Sequence, residues 1–129
     1  MVLIIGGAYQ GKLNYAIKKY ALSESQIFTC SENDGITFGF RCINKLEEFT
    51  LWCVRNQKDP LEIFKKQKKE WCDSILICAD IFCGVVPLGA DMRKWRELTG
   101  LLCAFLSSEA GTVTRMYCGL PQNIKTNEF

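Results

Sequence analysis

Two kinds of apolar pattern alternate along this chain. Residues 2–5 and 74–79 form continuous runs of mostly aliphatic side chains, which are typical of strands buried on both faces of a parallel sheet. Shorter apolar or alternating runs predict further strands at residues 26–30, 36–40 and 112–118. Apolar residues at helical spacing predict helices over residues 13–21, 44–56, 60–72 and 91–110. This alternation predicts an α/β fold with an open, mostly parallel sheet covered on both faces.

Residues at the helix ends support these boundaries. Asn44 and Asp91 can each cap the first turn of a helix, and Pro60 fits a first helical turn. Gly111 ends the last helix, and residues 119–121 turn the chain away after the last strand. With 48% hydrophobic and 23% charged residues, we expect residues 1–129 to form a single globular domain.

A glycine-rich segment lies between the first predicted strand and the first predicted helix. Its sequence fits the phosphate-binding pattern G-x-x-x-x-G-K as far as Lys12 and departs from it at Leu13, where serine or threonine is expected. Backbone N–H groups at a helix N-terminus bind phosphate oxygens, and Lys12 adds a positive charge. The predicted nucleotide-binding residues of this segment are Gly6, Gly7, Ala8, Tyr9, Gln10, Gly11, Lys12 and Leu13. A glycine turn with a purely structural role is the alternative.

Leu13 and Asp80 bear on the metal that usually accompanies a bound nucleotide. Leu13 has no oxygen to offer to Mg²⁺, which should weaken the positioning of the metal. Asp80 follows the strand predicted at residues 74–79, and parallel sheets bind ligands at the carboxyl ends of their strands. We therefore predict Lys12 and Asp80 as catalytic residues and Asp80 as the metal ligand.

Composition excludes several other kinds of chemistry. The chain has no histidine, which rules out histidine-based triads, histidine metal ligands and phosphohistidine intermediates. Its eight cysteines form no C-x-x-C pair, so we expect buried, reduced thiols. The basic residues at 65–69 have no interleaved aromatic side chains, which favours a solvated helix face over a nucleic-acid surface. The N-terminal apolar run is too short for a signal peptide, so we expect a cytoplasmic protein without a membrane segment.

The second half of the chain carries three segments that resemble one known family. They are ILICADIFCGVVP at residues 75–87, RKWRELTG at residues 93–100, and CGLP at residues 118–121 followed by Lys125. The bifunctional adenosylcobinamide kinase and adenosylcobinamide-phosphate guanylyltransferase family of cobalamin biosynthesis shows S-N-E-V-G-x-G-I-V-P, R-x-F-R-D-x-x-G and A-G-L-P in the same order. Its phosphate-binding loop, G-G-A-R-S-G-K-S, is similar to residues 6–13 here, and the resemblance covers about half of the chain.

The resemblance implies a fold, a ligand and an assembly. It implies a three-layer α/β/α P-loop NTPase fold of the RecA-like kind, with ATP or GTP and Mg²⁺ bound at the loop. It also implies a cobinamide-like acceptor and a homotrimer. Arg93 and Arg96 match arginines of the family that could reach phosphates, although arginines on an exposed helix are also common surface residues.

Departures from the family pattern limit what can be carried over. The family transfers guanylyl groups through a histidine that this chain lacks, so we do not expect that activity. Ala79-Asp80 replaces an Asn-Glu pair, Cys103-Ala104 replaces an Asn-Gln pair, and the middle segment offers Arg41 and Asn44 instead of a Walker-B-like aspartate. Three interpretations of the function are possible: a kinase-like phosphotransferase, a non-catalytic nucleotide-binding or regulatory module, and an inherited fold that binds no nucleotide.

Overall fold

Six strands form one sheet in the structure, a computed structural model that describes residues 1–7, 11–81 and 89–126. The strands are β1 (Val2–Gly6), β2 (Ile27–Thr29), β3 (Cys42–Asn44), β4 (Ile75–Ala79), β5 (Thr112–Tyr117) and β6 (Leu120–Thr126). Their order across the sheet is β2-β3-β4-β1-β5-β6. All neighbouring strands are parallel except β5 and β6, which are antiparallel. The predicted α/β class with a mostly parallel sheet is therefore confirmed.

Helices cover both faces of this sheet. They are α1 (Lys12–Tyr20), α2 (Leu46–Arg55), α3 (Pro60–Lys66), α4 (Lys68–Trp71) and α5 (Ala90–Glu109). Consecutive residues of β1 point to opposite faces, so Leu3 packs in the cluster that contains α2, α3, α4 and α5, while Ile4 packs with Ala16 of α1. None of the helices in the described part of the chain has both the length and the apolar character that crossing a membrane requires.

The strand predicted at residues 36–40 is wrong. These residues have no regular secondary structure, and the strand beside β4 is Cys42–Asn44. The alternating aromatic side chains that suggested a strand pack against the core instead: Phe38 meets Phe64 edge-on at 5.2 Å between ring centroids, and Phe40 lies 5.4 Å from Phe28. Side-chain burial, and not strand pairing, produces the alternation.

Two predicted caps are also wrong. Asn44 ends β3, and the N-cap of α2 is Lys45, whose backbone is left-handed with φ 60°. Helix α5 begins at Ala90 after Gly89, so Asp91 lies within its first turn. Pro60 does open a helix, as predicted, and the Asp59 side chain accepts a hydrogen bond from the Leu61 N–H at 3.0 Å.

The helix predicted over residues 60–72 is divided in two, and a strand was missed at the end. Helices α3 and α4 meet at Gln67, where the Trp71 indole N–H donates to the Phe64 carbonyl at 2.8 Å. The chain turns at residues 118–119 and returns as β6, so Leu120 and Pro121 belong to a strand and not to a departing loop. Proline is tolerated there because β6 is an edge strand.

Candidate functional site

A cavity of about 540 Å³ lies where β1, β3 and β4 end. In the described part of the chain its lining consists of Gly11, Lys12, Leu13, Asn14, Asn44, Lys45, Glu47, Glu48, Ile77 and Ala79. Strand β1 is central, since β4 pairs with it on one side and β5 on the other. Ligands of open α/β sheets bind at such carboxyl ends, where the strand order changes direction.

Gly6 joins β1 to the glycine-rich segment, and only glycine fits there. Its φ is 157°, and a Cβ at this position would lie 2.7 Å from the Met116 carbonyl oxygen of β5. The Gly6 carbonyl oxygen accepts a hydrogen bond from the Asp80 N–H at 2.6 Å. A backbone hydrogen bond therefore connects the end of β1 to the first residue after β4.

Gly11 places the N-terminus of α1 at the cavity. It is the N-cap, its φ is 75°, and a Cβ added to it would meet none of the described atoms within 4 Å. The N-cap makes no side-chain hydrogen bond to the first turn. The N–H groups of that turn have no partner within the helix, so they are donors available to an anion.

Lys12 is the first residue of α1, and its side chain reaches Gly7. Nζ donates to the Gly7 carbonyl oxygen at 2.6 Å. Partial burial lowers the pKa of Lys12, while the carboxylates of Glu47 and Asp80 act in the opposite direction. A desolvated ammonium gains most from an anionic ligand, which is the role predicted for this lysine.

Leu13 contributes packing at the position of the missing hydroxyl. Its half-buried side chain contacts the core cluster on the α1 face of the sheet and also lines the cavity. At the position where a hydroxyl is expected, the chain therefore has an apolar side chain that packs against the core.

The other predicted residues lie at different distances from this centre. Asp80 follows β4 and its N–H bonds to the Gly6 carbonyl, so the two predicted catalytic residues lie at the same edge of the sheet, although the described lining of the cavity does not include Asp80. Arg93 is exposed on α5 and Arg96 is half-buried there, and the described lining of the cavity includes neither. The predicted residues Ala8, Tyr9 and Gln10 lie outside the described residues.

Sequence reasoning missed the β3 side of the cavity, where Asn44 and Glu47 stand. Asn44 is only 7% exposed, and its Nδ2 lies 3.5 Å from the Thr29 hydroxyl. Asn44 also lines the cavity. The signal in the sequence is the polar Asn44 directly after Cys42 and Ile43, in the middle segment that lacks a Walker-B-like aspartate.

Glu47 is held in place from two directions. Its Oε1 accepts a hydrogen bond from the Ala79 N–H at 2.9 Å, which joins the first turn of α2 to the end of β4. Its backbone carbonyl accepts a hydrogen bond from the Trp95 indole N–H of α5 at 2.8 Å. The Thr50 hydroxyl lies 3.0 Å from the same carbonyl and 2.6 Å from the hydroxyl of Thr99. A carboxylate fixed in this way keeps one oxygen directed away from the Ala79 bond.

Glu48 makes this wall of the cavity acidic as well. Burial raises its pKa, and the neighbouring carboxylates of Glu32 and Glu47 raise it further, while Lys45 and Arg55 lower it. Lys12 lines the cavity on the α1 side, and the two glutamates line it on the α2 side together with the cationic Lys45.

No group of three or more histidine, cysteine, aspartate or glutamate side chains is arranged to hold a metal within the described ranges. Mg²⁺ usually retains waters and takes one or two carboxylates together with phosphate oxygens. The carboxylates of Asp80, after β4, and of Glu47, in the first turn of α2, are groups of that kind.

No protein-family model matches the chain, and no curated protein sequence matches it. Its function is therefore inferred from the residues at the sheet edge and from the motif resemblance described above.

Proposed function

We propose that this chain is a P-loop nucleotide-binding domain of the RecA-like kind that binds ATP or GTP and acts as a kinase-type phosphotransferase. The observation that carries the proposal is the position of Lys12. It opens α1 directly after the loop that follows the central strand, lines the cavity and bonds to the Gly7 carbonyl at 2.6 Å. This is the context in which the G-x-x-x-x-G-K pattern binds phosphates.

The proposed chemistry depends on positioning and charge. The first-turn N–H groups of α1 hold phosphate oxygens, and Lys12 neutralises the phosphoryl group that is transferred. Asp80 orients the acceptor hydroxyl or holds Mg²⁺ through water. The metal, when bound, supplies positive charge between the phosphates. Resemblance to the adenosylcobinamide kinase family supports a cobinamide-like alcohol as the acceptor and a homotrimer as the assembly.

A second candidate is a nucleotide-binding module without catalytic activity. Leu13 supports it, because its side chain packs in the core cluster where a metal-binding hydroxyl would stand. Such a module keeps the backbone donors and Lys12 but positions the metal poorly.

Calorimetric titration of ATP and GTP into the wild type and into Lys12→Ala tests nucleotide binding. Loss of a charged hydrogen bond costs about 1.5–3 kcal/mol, so we expect the variant to bind roughly 10- to 100-fold more weakly. Lys18→Ala is the matched control, because Lys18 is an exposed lysine on the same helix. Equal affinity in the wild type and Lys12→Ala would contradict the role of Lys12.

A phosphorylation assay separates the remaining possibilities. Transfer of labelled γ-phosphate to cobinamide supports the kinase, whereas tight binding without turnover supports the module. No heat with either nucleotide would reject both and leave an inherited fold without a nucleotide.

A further inference from the structure

We propose that Tyr117, together with Arg115, forms a platform on which the aromatic base of the nucleotide stacks. The inference rests on the proposed function and deepens it, because it assigns a binding place to the part of the nucleotide that the phosphate-binding loop does not contact. The ligand group in question is the flat ring of a purine whose phosphates are held at the start of α1.

The position of Tyr117 in the sheet provides the first reason. Strands β1 and β5 pair as far as Gly6 and Met116, and β5 continues for one further residue, Tyr117. Neighbouring strands lie about 4.8 Å apart and rise about 3.3 Å per residue, so the Cα atoms of Gly6 and Tyr117 are about 6 Å apart. The ring therefore stands at the edge of the sheet where the glycine-rich segment leaves β1.

Exposure of the β5–β6 hairpin provides the second reason. The large apolar side chains that the described residues leave exposed are Leu101, Tyr117, Leu120 and Ile124, so three of the four lie on this hairpin. Tyr117 is 64% exposed, and Leu120 lies directly opposite it on β6. Exposed apolar surface that is concentrated in one place indicates a binding site more often than scattered apolar residues do.

Arg115 provides the third reason. It precedes Tyr117 by two residues on the same strand, so both side chains project from the same face of the sheet. The guanidinium carbon of Arg115 lies 5.8 Å from the centroid of the Tyr117 ring, within the range of a cation–π contact. This contact orients the ring and uses only one of its faces. Aromatic rings with nearby arginines stack nucleobases in proteins that bind single strands, and the positive charge suits a ligand with phosphates.

The platform and the cavity lie on opposite sides of β1. Strand β5 pairs with one side of β1, whereas β4, whose end lines the cavity, pairs with the other. A nucleotide with its phosphates at α1 and its base on Tyr117 therefore leaves the cavity to the acceptor. Stacking tolerates any base, because every base has a π face, so we expect ATP and GTP to bind alike.

The test is calorimetric titration of ATP, GTP and inorganic tripolyphosphate into the wild type, Tyr117→Ala and Tyr117→Phe. Tripolyphosphate carries the phosphates without the base. We expect Tyr117→Ala to bind ATP and GTP roughly 5- to 150-fold more weakly, which is the effect of losing one stacked base, and to bind tripolyphosphate as the wild type does. Tyr117→Phe retains the ring and should keep the wild-type affinity for all three ligands.

Ile124→Ala is the matched control. Ile124 is 57% exposed on the same hairpin, so its replacement removes a similar amount of apolar surface away from the ring. Substitutions of exposed side chains usually leave the fold intact. We expect Ile124→Ala to bind the three ligands with unchanged affinity.

Two results would overturn the inference and leave the proposed function standing. One is equal ATP affinity in the wild type and Tyr117→Ala while Lys12→Ala still weakens binding. The other is an equal loss of ATP and tripolyphosphate affinity in Tyr117→Ala, because the side chain would then act on the phosphates and not on the base. A wild type that binds neither ATP, GTP nor tripolyphosphate would reject both the inference and the proposed function.

Discussion

Replacing Gly6 with alanine should destabilise the fold more than the same replacement at Gly11. The new Cβ would lie 2.7 Å from the Met116 carbonyl oxygen and 3.2 Å from the Met116 Cβ. These atoms belong to β5, which is paired on both sides and cannot move away freely. The contact therefore has to be relieved by displacing β1 or β5.

The cost can be worked out from three contributions. Overpacking costs about 1–3 kcal/mol, and the positive φ of 157° adds strain of about 1–3 kcal/mol for a residue with a Cβ. The reduced freedom of the unfolded chain offsets about 0.4–1 kcal/mol. We expect a loss of about 1–6 kcal/mol, against a typical total stability of about 5–15 kcal/mol.

Gly11→Ala isolates the steric part of this cost. Gly11 also has a positive φ, 75°, but its added Cβ meets none of the described atoms within 4 Å. The free energy of unfolding of Gly11→Ala should therefore fall only by the backbone strain, which is about 1–2 kcal/mol after the offset from the unfolded chain. Gly11 is the N-cap of the helix that begins at the cavity, so we expect Gly11→Ala to weaken nucleotide binding by more than its small loss of stability would explain.

Urea unfolding of both variants without ligand is the assay. A difference of about 2 kcal/mol corresponds to a midpoint lower by roughly 1 M for Gly6→Ala than for Gly11→Ala, given typical urea dependences. Midpoints that agree within error would refute the argument, because they would show that the contact with Met116 relaxes without cost.

Two further predictions concern the α2–α5 interface and the buried thiols. Trp95→Phe removes the indole N–H that bonds the Glu47 carbonyl at 2.8 Å, and we expect it to lower the free energy of unfolding by about 1–2 kcal/mol; an unchanged urea midpoint would show that this bond adds no net stability. Burial raises the pKa of Cys30 from 9.0 to about 12, so this thiol ionises in the unfolded chain before it ionises in the folded one. The contribution of the neutral Cys30 thiol to the free energy of unfolding is therefore fully present below about pH 9. It is lost as the pH rises toward 12, at about 1.4 kcal/mol per pH unit. Unfolding measured from pH 8 to pH 11 should show a shallower loss in Cys30→Ala, and identical slopes would contradict the assignment.

The elements around β1 could be predicted because their signals are local. The run Val2–Gly6, the glycine-rich segment and the amphipathic spacing of α1 each specify one state without help from distant residues. Strand β4 is equally clear, since four of its five residues are buried and it carries the run ILICA. Lys12 and Asp80 could be placed at one edge because parallel strands end on the same side of the sheet.

The missed features depend on tertiary contacts. Strand β3 has only three residues, and it is recognisable only between β2 and β4, while the aromatic side chains before it mimic strand alternation. Strand β6 is exposed along most of its length, so no apolar periodicity marks it. Glu47 reads as part of an ordinary helix start, and its bond to Ala79 is visible only once α2 lies against β4.

The order of the strands has a consequence for synthesis of the chain. Val2 pairs with Ile75 on one side and with Thr112 on the other, so the central strand is made before either of its partners. At about 5–20 residues per second, the run VLIIG waits several seconds on the ribosome before β4 is available. During that interval an apolar strand with unpaired edges is open to pairing with other chains. Early capture by a chaperone would therefore matter more for this protein than for one whose first strands form a hairpin.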